Sequence, residues 1–97
     1  MDWDKLKIFH AVAEAGNFTK ATYSLNLSQS AISRQIQSLE LELKTQLFER
    51  HARGLSLTDN GQYLFKTAHE VISKLKDVYS KMLKGETSGR YIVDLNK

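Results

Sequence analysis

Residues 17–43 read NFTKATYSLNLSQSAISRQIQSLELEL, and this stretch decides the fold. Asn17 and Ser28 can each cap the N-terminus of a helix, because their side chains accept hydrogen bonds from first-turn amides. Asn26, just before the second cap, tolerates a left-handed backbone at little cost. The pattern predicts a short helix over residues 18–25 and a longer one over residues 29–43. They are joined by about three residues, as in a helix-turn-helix.

The longer helix has two chemically different faces. At about 100° of rotation per residue, its buried face is apolar and consists of Ile32, Ile36, Leu39 and Leu43. The opposite face carries Ser30, Ser33, Arg34 and Gln37, with Gln29 between the two faces. Short side chains let a helix approach base edges in the major groove, and an arginine reaches a guanine edge or a phosphate. The alternative is a solvated polar face, but the usual lysines and glutamates are missing from residues 28–39.

The flanking segments predict a winged helix-turn-helix. An apolar stripe at helical spacing over residues 6–13 predicts a first helix between Asp2 and Gly16. Two short segments within residues 47–57, around Arg53 and Gly54, predict a small β-hairpin. At its projecting tip, Arg53 could enter a narrow minor groove, where the negative potential is strongest. The alternative is an ordinary turn with basic residues.

The last helix is too long for so small a domain. Thr58 can cap a helix over residues 59–84, which is roughly 40 Å long at 1.5 Å per residue. Its apolar residues form a helix-packing seam with spacings of 4, 3, 4, 3 and 4: Leu64, Ala68, Val71, Leu75, Val78 and Met82. Part of the seam is expected to pack on the first helix. The remainder predicts a partner helix from a second copy of the chain.

Composition and motif searches argue against an enzyme. The 97 residues contain no cysteine, which removes disulfides, thiolate nucleophiles and cysteine zinc sites. The five glycines are scattered rather than gathered in a phosphate loop, and no serine lies on a nucleophile elbow. His10, His51 and His69 have no carboxylate partners at a convincing spacing. We therefore predict no catalytic residues, no metal site and no cofactor.

The charge balance is mildly basic and only weakly informative. A net charge of +3 and a pI near 9.2 suggest a polyanionic partner, although many solvated helices have the same balance. No apolar run approaches the roughly 18 residues of a membrane span. The N-terminus, MDWDKLKIF, carries acidic residues where a secretory signal has basic ones. We expect a cytosolic protein that does not bind membranes.

Several segments, in order, are similar to one bacterial family. They are residues 17–21 (NFTKA), 25–36 (LNLSQSAISRQI), 39–40 (LE), 47–50 (LFER) and 57–58 (LT), with Gly61. Over about residues 3–85 the sequence resembles the N-terminal DNA-binding domain of LysR-type transcriptional regulators. The resemblance implies a mainly α winged helix-turn-helix. It also implies a following linker helix through which two subunits pair.

By motif position, the resemblance implies two sets of DNA contacts. The base contacts would be Gln29, Ser30, Ser33, Arg34 and Arg53. The phosphate contacts would be Thr19, Ser28, Gln37, Arg50 and Thr58. A homodimer would bind a pseudo-palindromic promoter site in double-stranded DNA. The resemblance further implies tetramers in full-length regulators, contact with RNA polymerase, a nucleoid-associated location, and an effector signal that acts on a C-terminal domain.

The sequence departs from the family pattern in four places. Lys44 stands where a glycine usually follows the recognition helix, and Thr22 and Leu41 replace a common alanine and a common polar residue. As the fourth departure, we expect the effector domain of the family to be missing from this sequence. We expect residues 1–58 to form the winged helix-turn-helix and residues 59–85 the dimerisation helix. Residues 86–97 would be a hinge and a remnant of the missing domain.

Two functions from different classes are compatible with the sequence. The first is sequence-specific DNA binding by a dimeric LysR-type regulator. The second is a winged-helix module for protein–protein interaction, in which the long helix docks a partner and the third helix only faces solvent. They differ in whether Ser33 and Arg34 read bases.

Overall fold

The computed structural model describes residues 2–84. These residues form four helices and one antiparallel hairpin, in the order α1 (Trp3–Ala15), α2 (Phe18–Leu25), α3 (Gln29–Leu43), β1 (Phe48–His51), β2 (Gly54–Leu57) and α4 (Asp59–Leu83). The predicted winged helix-turn-helix with a long last helix is therefore confirmed. The hinge and remnant predicted over residues 86–97 lie outside the described residues.

Each helix begins at a residue whose side chain caps it. Asn17 and Ser28 accept hydrogen bonds from the amides three residues further on, at 2.7 and 3.1 Å. Asp2 caps α1 and Thr58 caps α4 in a similar way. These caps satisfy amides that have no partner inside their own helix, which is why the predicted helix starts agree with the structure.

The core lies between the first three helices and the base of the hairpin. Its fully buried side chains include Phe9, Val12, Ile32, Leu39 and Leu47. The predicted buried face of α3 is confirmed, since Ile36 is also buried and Leu43 packs against the core. Phe48 on β1 lies with its ring centroid 5.4 Å from that of Phe9, and so joins the hairpin to α1.

Most of α4 extends away from this core. The molecule measures 52 × 27 × 21 Å, and the buried residues of α4 are Gly61 and Ala68. A Cβ on Gly61 would clash with the carbonyl group of Leu47, so only glycine lets α4 begin so close to the hairpin. None of the helices within residues 2–84 combines the length and apolarity needed to cross a bilayer.

Lys44 occupies the left-handed conformation that favours glycine, with φ at 56°. Its amide closes α3 by donating to the carbonyl groups of Glu40 and Leu41. A side chain in the left-handed conformation costs about 1 kcal/mol relative to glycine. Part of this difference is offset, because glycine loses more conformational freedom on folding than lysine does. We expect Lys44→Gly to raise the free energy of unfolding by about 0.5–1 kcal/mol, measured by urea denaturation. Lys44→Ala, which keeps the Cβ, is the control; equal stabilisation by both variants would contradict this explanation.

Candidate nucleic-acid interface

The polar face of α3 is open to solvent. Because Ile32 and Ile36 are buried, Gln29, Ser30, Arg34 and Gln37 are exposed and Ser33 is half-buried. We call these five polar residues the recognition face. Arg34 is the only charged residue between positions 28 and 39. The face therefore offers neutral donors and acceptors around a single guanidinium group.

The N-terminus of α3 adds hydrogen-bonding groups to this face. The hydroxyl of Ser28 accepts a hydrogen bond from the amide of Ala31 and lies 3.3 Å from the hydroxyl of Ser30. The first-turn amides and the partial positive charge of a helix N-terminus both favour an anion such as phosphate. The two hydroxyl groups thus lie at the end of α3 that is suited to a phosphate.

A shallow groove joins α2, α3 and the hairpin. Its lining includes Thr19, Gln29, Arg50 and His51. The guanidinium carbon of Arg50 lies 4.9 Å from the ring centroid of Phe18, a cation–π contact that holds the side chain at the groove. The structure therefore brings together three predicted contact residues, Thr19, Gln29 and Arg50, from three separate segments.

The hairpin presents Arg53 at an exposed tip. β1 pairs with β2 in a register that places His51 opposite Gly54, so Ala52 and Arg53 form the turn. Gly54 has a φ of 131°, which side chains rarely adopt, so glycine is needed here. Across the hairpin, a ring nitrogen of His51 lies 2.8 Å from the hydroxyl oxygen of Ser56. Arg53 lies outside the groove that Arg50 lines.

Glu40 fixes the hairpin relative to the recognition face, a role that the sequence interpretation missed. Its carboxylate accepts hydrogen bonds from the amides of Leu47 and Phe48, at 2.7 and 3.4 Å. The partners are seven and eight residues away along the chain, so neither helical nor strand periodicity predicts the contact. The carboxylate ties the last turns of α3 to the start of β1.

The structure does not support the predicted phosphate contact at Thr58. Its hydroxyl donates to the carbonyl of Gln46 at 2.7 Å and accepts from the amide of Gly61 at 3.0 Å. Its own amide donates to the carbonyl of Leu47 at 3.0 Å. A threonine hydroxyl has one proton, so no donor remains for a phosphate oxygen. Thr58 instead caps α4 and ties it to the segment before β1.

The segments that form this interface match a known protein family. Residues 3–62 match the family model described as "Bacterial regulatory helix-turn-helix protein, lysR family". The matched range runs from α1 into the first turn of α4, and so contains the recognition face and the hairpin. The chain belongs to the LysR family. The resemblance found in the sequence is confirmed, and this is a LysR-type DNA-binding domain.

Relatives of this LysR-type domain are transcriptional regulators. One from Azotobacter vinelandii is 40% identical over 92 residues, which are 93% of this chain and 64% of the relative. The regulator PtxR of Pseudomonas aeruginosa is also 40% identical over 92 residues, which are 93% of this chain and 30% of PtxR. The chain thus spans less than two thirds of the first and under a third of the second.

Solved structures of LysR-type domains share the fold. The DNA complex of the CbnR DNA-binding domain superposes with a TM-score of 0.72 and 36% identity, covering 90% of this chain and 100% of that chain. The BenM DNA-binding domain bound to catB site 1 superposes with a TM-score of 0.77 and 35% identity, covering 91% and 98%. The fold of this LysR-type domain is therefore one that has been solved on DNA.

The apolar seam of α4 in this LysR-type domain is divided in two. Leu64 packs against the core and Ala68 is only 2% exposed, so Ala68 has little surface left for a partner. The predicted packing of part of the seam on the chain's own body is confirmed, and the predicted dimer contact at Ala68 is corrected. Further along, Val71 is 43% exposed and Leu75 and Val78 are each 53% exposed. With the half-buried Met82, these three residues form the free seam.

Another cluster lies between α1 and α4, away from the recognition face. His10 Nε2 is 3.0 Å from His69 Nδ1, and Glu14 Oε1 is 3.7 Å from His10 Nδ1. The expectation that His10 has no carboxylate partner was wrong, because Glu14 lies one turn along the same helix face. Burial lowers the pKa of His10 below its ordinary value of 6.5; Glu14 opposes this shift, and His69 and Lys76 add to it. The buried imidazole is therefore neutral at pH 7.

Proposed function

We propose that this LysR-type domain binds a specific double-stranded DNA site and regulates transcription from it. The observation that carries the proposal is the recognition face, in a fold that relatives place on DNA. Gln29, Ser30, Ser33 and Arg34 would contact base edges in the major groove. The short side chains of Ser30 and Ser33 let α3 approach closely, and the guanidinium of Arg34 can bind a guanine edge through two hydrogen bonds.

A second part of the proposal concerns the DNA backbone and the minor groove. Thr19, Ser28 and Arg50 would contact phosphates beside the recognition face, and Gln37, from the face itself, would contact a phosphate as well. Arg53 would enter the minor groove from the hairpin tip. Support comes from the groove that Thr19 and Arg50 share and from the exposure of Arg53. Phosphate contacts would set the register of the domain, while base contacts would set its sequence preference.

The proposal includes a homodimer that pairs through the free seam. A two-fold symmetric dimer presents two recognition faces and so binds a pseudo-palindromic site with two half-sites. The exposure of Val71, Leu75 and Val78 supports this pairing. Tetramers in a longer chain, contact with RNA polymerase, a cytoplasmic location at the nucleoid and the absence of catalytic activity are proposed from family membership.

Selection from a pool of random duplexes tests the proposed function. We expect enrichment of a pseudo-palindrome whose half-sites lie about one helical turn, or a multiple of it, apart. A parallel selection without protein at the same salt concentration controls for amplification bias. If α3 only faced solvent in a protein–protein module, no duplex would be enriched over the control, and this outcome would overturn sequence-specific binding.

A further inference from the structure

We propose that His10, Glu14 and His69 bind one divalent transition-metal ion, of the zinc or nickel class, and so connect α1 to α4. The site is separate from the recognition face and does not depend on the proposed function. One donor atom from each residue lies within 4.8 Å of the other two. The sequence interpretation predicted no metal site, because the histidines had no carboxylate partner at a convincing spacing. His10 and His69 are 59 positions apart along the chain, so the sequence does not reveal that they meet.

The two imidazoles already face each other. His10 Nε2 and His69 Nδ1 are 3.0 Å apart and the ring centroids are 5.2 Å apart, so one of these nitrogens donates a hydrogen bond to the other. Two nitrogens bound to a tetrahedral ion at about 2.0–2.1 Å lie roughly 3.3 Å apart. A small opening of the pair and a turn of the half-exposed His69 ring would admit the ion between these nitrogens. The proton of the hydrogen bond would then move to the other nitrogen of its own ring, so that both facing nitrogens have a free lone pair.

Glu14 supplies the third donor. Its Oε2 lies 3.9 Å from His69 Nδ1, one of the two nitrogens that would bind the ion. Its Oε1 lies 3.7 Å from Nδ1 of His10, the ring nitrogen that does not face His69. Both distances are too long for hydrogen bonds, so the carboxylate faces the histidine pair without being needed to satisfy it. If the only role of the His10–His69 hydrogen bond were to satisfy the buried His10, the two histidines would be explained. The position of the Glu14 carboxylate beside them would not. The exposed side of Glu14 and His69 leaves room for water to complete the coordination.

Neighbouring side chains hold the three donor residues in place, and the donor types define the class of ion. The ring of Phe65 stacks beside both imidazoles, with centroid distances of 5.2 and 5.5 Å. Two imidazoles with one carboxylate suit zinc or nickel rather than magnesium or calcium, which prefer oxygen donors. Lys76 lines the same groove as His10 and Glu14 and would oppose a cation there. The affinity should therefore be moderate.

The position of the site gives the ion a structural consequence. His69 directly follows Ala68, the last buried residue of α4 in the described part of the chain. The site thus lies where α4 leaves the body. An ion bound to His10 on α1 and His69 on α4 would fix the direction in which the free part of α4 projects.

The test is calorimetric titration of the protein with zinc chloride at neutral pH, together with thermal unfolding. We expect one ion per chain and a raised Tm for the wild type, with no shift in Tm from magnesium. His69→Gln and Glu14→Gln should each weaken zinc binding about tenfold or more, and in both variants the ion-free Tm shows whether the domain is folded. His51→Gln, which alters a histidine on the hairpin, is the matched control and should bind as the wild type does. Absence of zinc binding by the wild type, or equal binding by folded His69→Gln, would overturn the site.

Discussion

Replacing Arg34 with alanine is expected to lower the discrimination between the specific duplex and a scrambled one by about 1–3 kcal/mol, or roughly 5- to 150-fold. Arg34 is exposed, and no other residue from 28 to 39 is charged, so nothing else on that part of α3 can replace its guanidinium. If this group binds a guanine edge through two hydrogen bonds, its loss weakens binding to the specific duplex only. The scrambled duplex should lose little.

A gel-shift titration of both duplexes at one fixed salt concentration measures this effect. Lys66→Ala on α4 is the control, since it removes a cation from an exposed position outside the recognition face. Any loss from Lys66→Ala should be the same on both duplexes, because contact with the DNA backbone carries no sequence information. If Arg34→Ala also weakened both duplexes equally, Arg34 would be a phosphate contact and not a base reader.

The variant Arg34→Lys distinguishes a base contact from a phosphate contact at this position. Lysine keeps the positive charge but lacks the planar fork that donates two parallel hydrogen bonds. A phosphate contact would largely survive this substitution, whereas base reading would not. We therefore expect Arg34→Lys to lose most of the discrimination that Arg34→Ala loses, while its affinity for the scrambled duplex stays close to that of the wild type.

The local structure could be predicted from the sequence because the signals are local. Asn17, Ser28 and Thr58 each provide a side-chain acceptor for an amide three residues ahead, so the helix starts were correct. The apolar positions of α3 repeat at the helical period, so its buried face was correct as well. The left-handed conformation of Lys44 agrees with the glycine that is usual at this position in the family, whereas the lysine residue type does not favour it.

The missed features depend on contacts between distant segments. The carboxylate of Glu40 accepts a hydrogen bond from an amide at the start of β1. The hydroxyl of Thr58 donates a hydrogen bond to the carbonyl of Gln46, twelve residues away. His10 meets His69 only because α4 packs across α1. Periodicity identifies the face of a helix but not the surface that will cover it. The same limit applies to the seam of α4, which the chain's own core uses at one end and leaves exposed at the other.

The paired substitution Val71→Glu with Leu75→Glu is expected to convert the protein to monomers. The two side chains are 43% and 53% exposed in the single chain, so both are available to a second copy. In a seam between two copies, each new carboxylate would be buried without a partner, at a cost of several kcal/mol. Monomers have one recognition face, so affinity for the two-half-site duplex should fall on the order of a hundredfold or more. Sedimentation at micromolar concentration and gel shifts measure the two effects.

The matched control is Ser73→Glu with Ser80→Glu, which adds the same two charges to exposed positions on the opposite side of α4. This variant should remain dimeric, so charge alone would not explain a loss of pairing. The monomeric variant should still unfold cooperatively, because the core of the single chain does not use Val71 or Leu75. Its Tm should fall only by the stabilisation that pairing gives the wild type. A wild-type protein that is monomeric at micromolar concentration and still binds its specific duplex tightly would contradict the proposal. The exposed apolar residues of α4 would then need a partner other than a second copy of the chain.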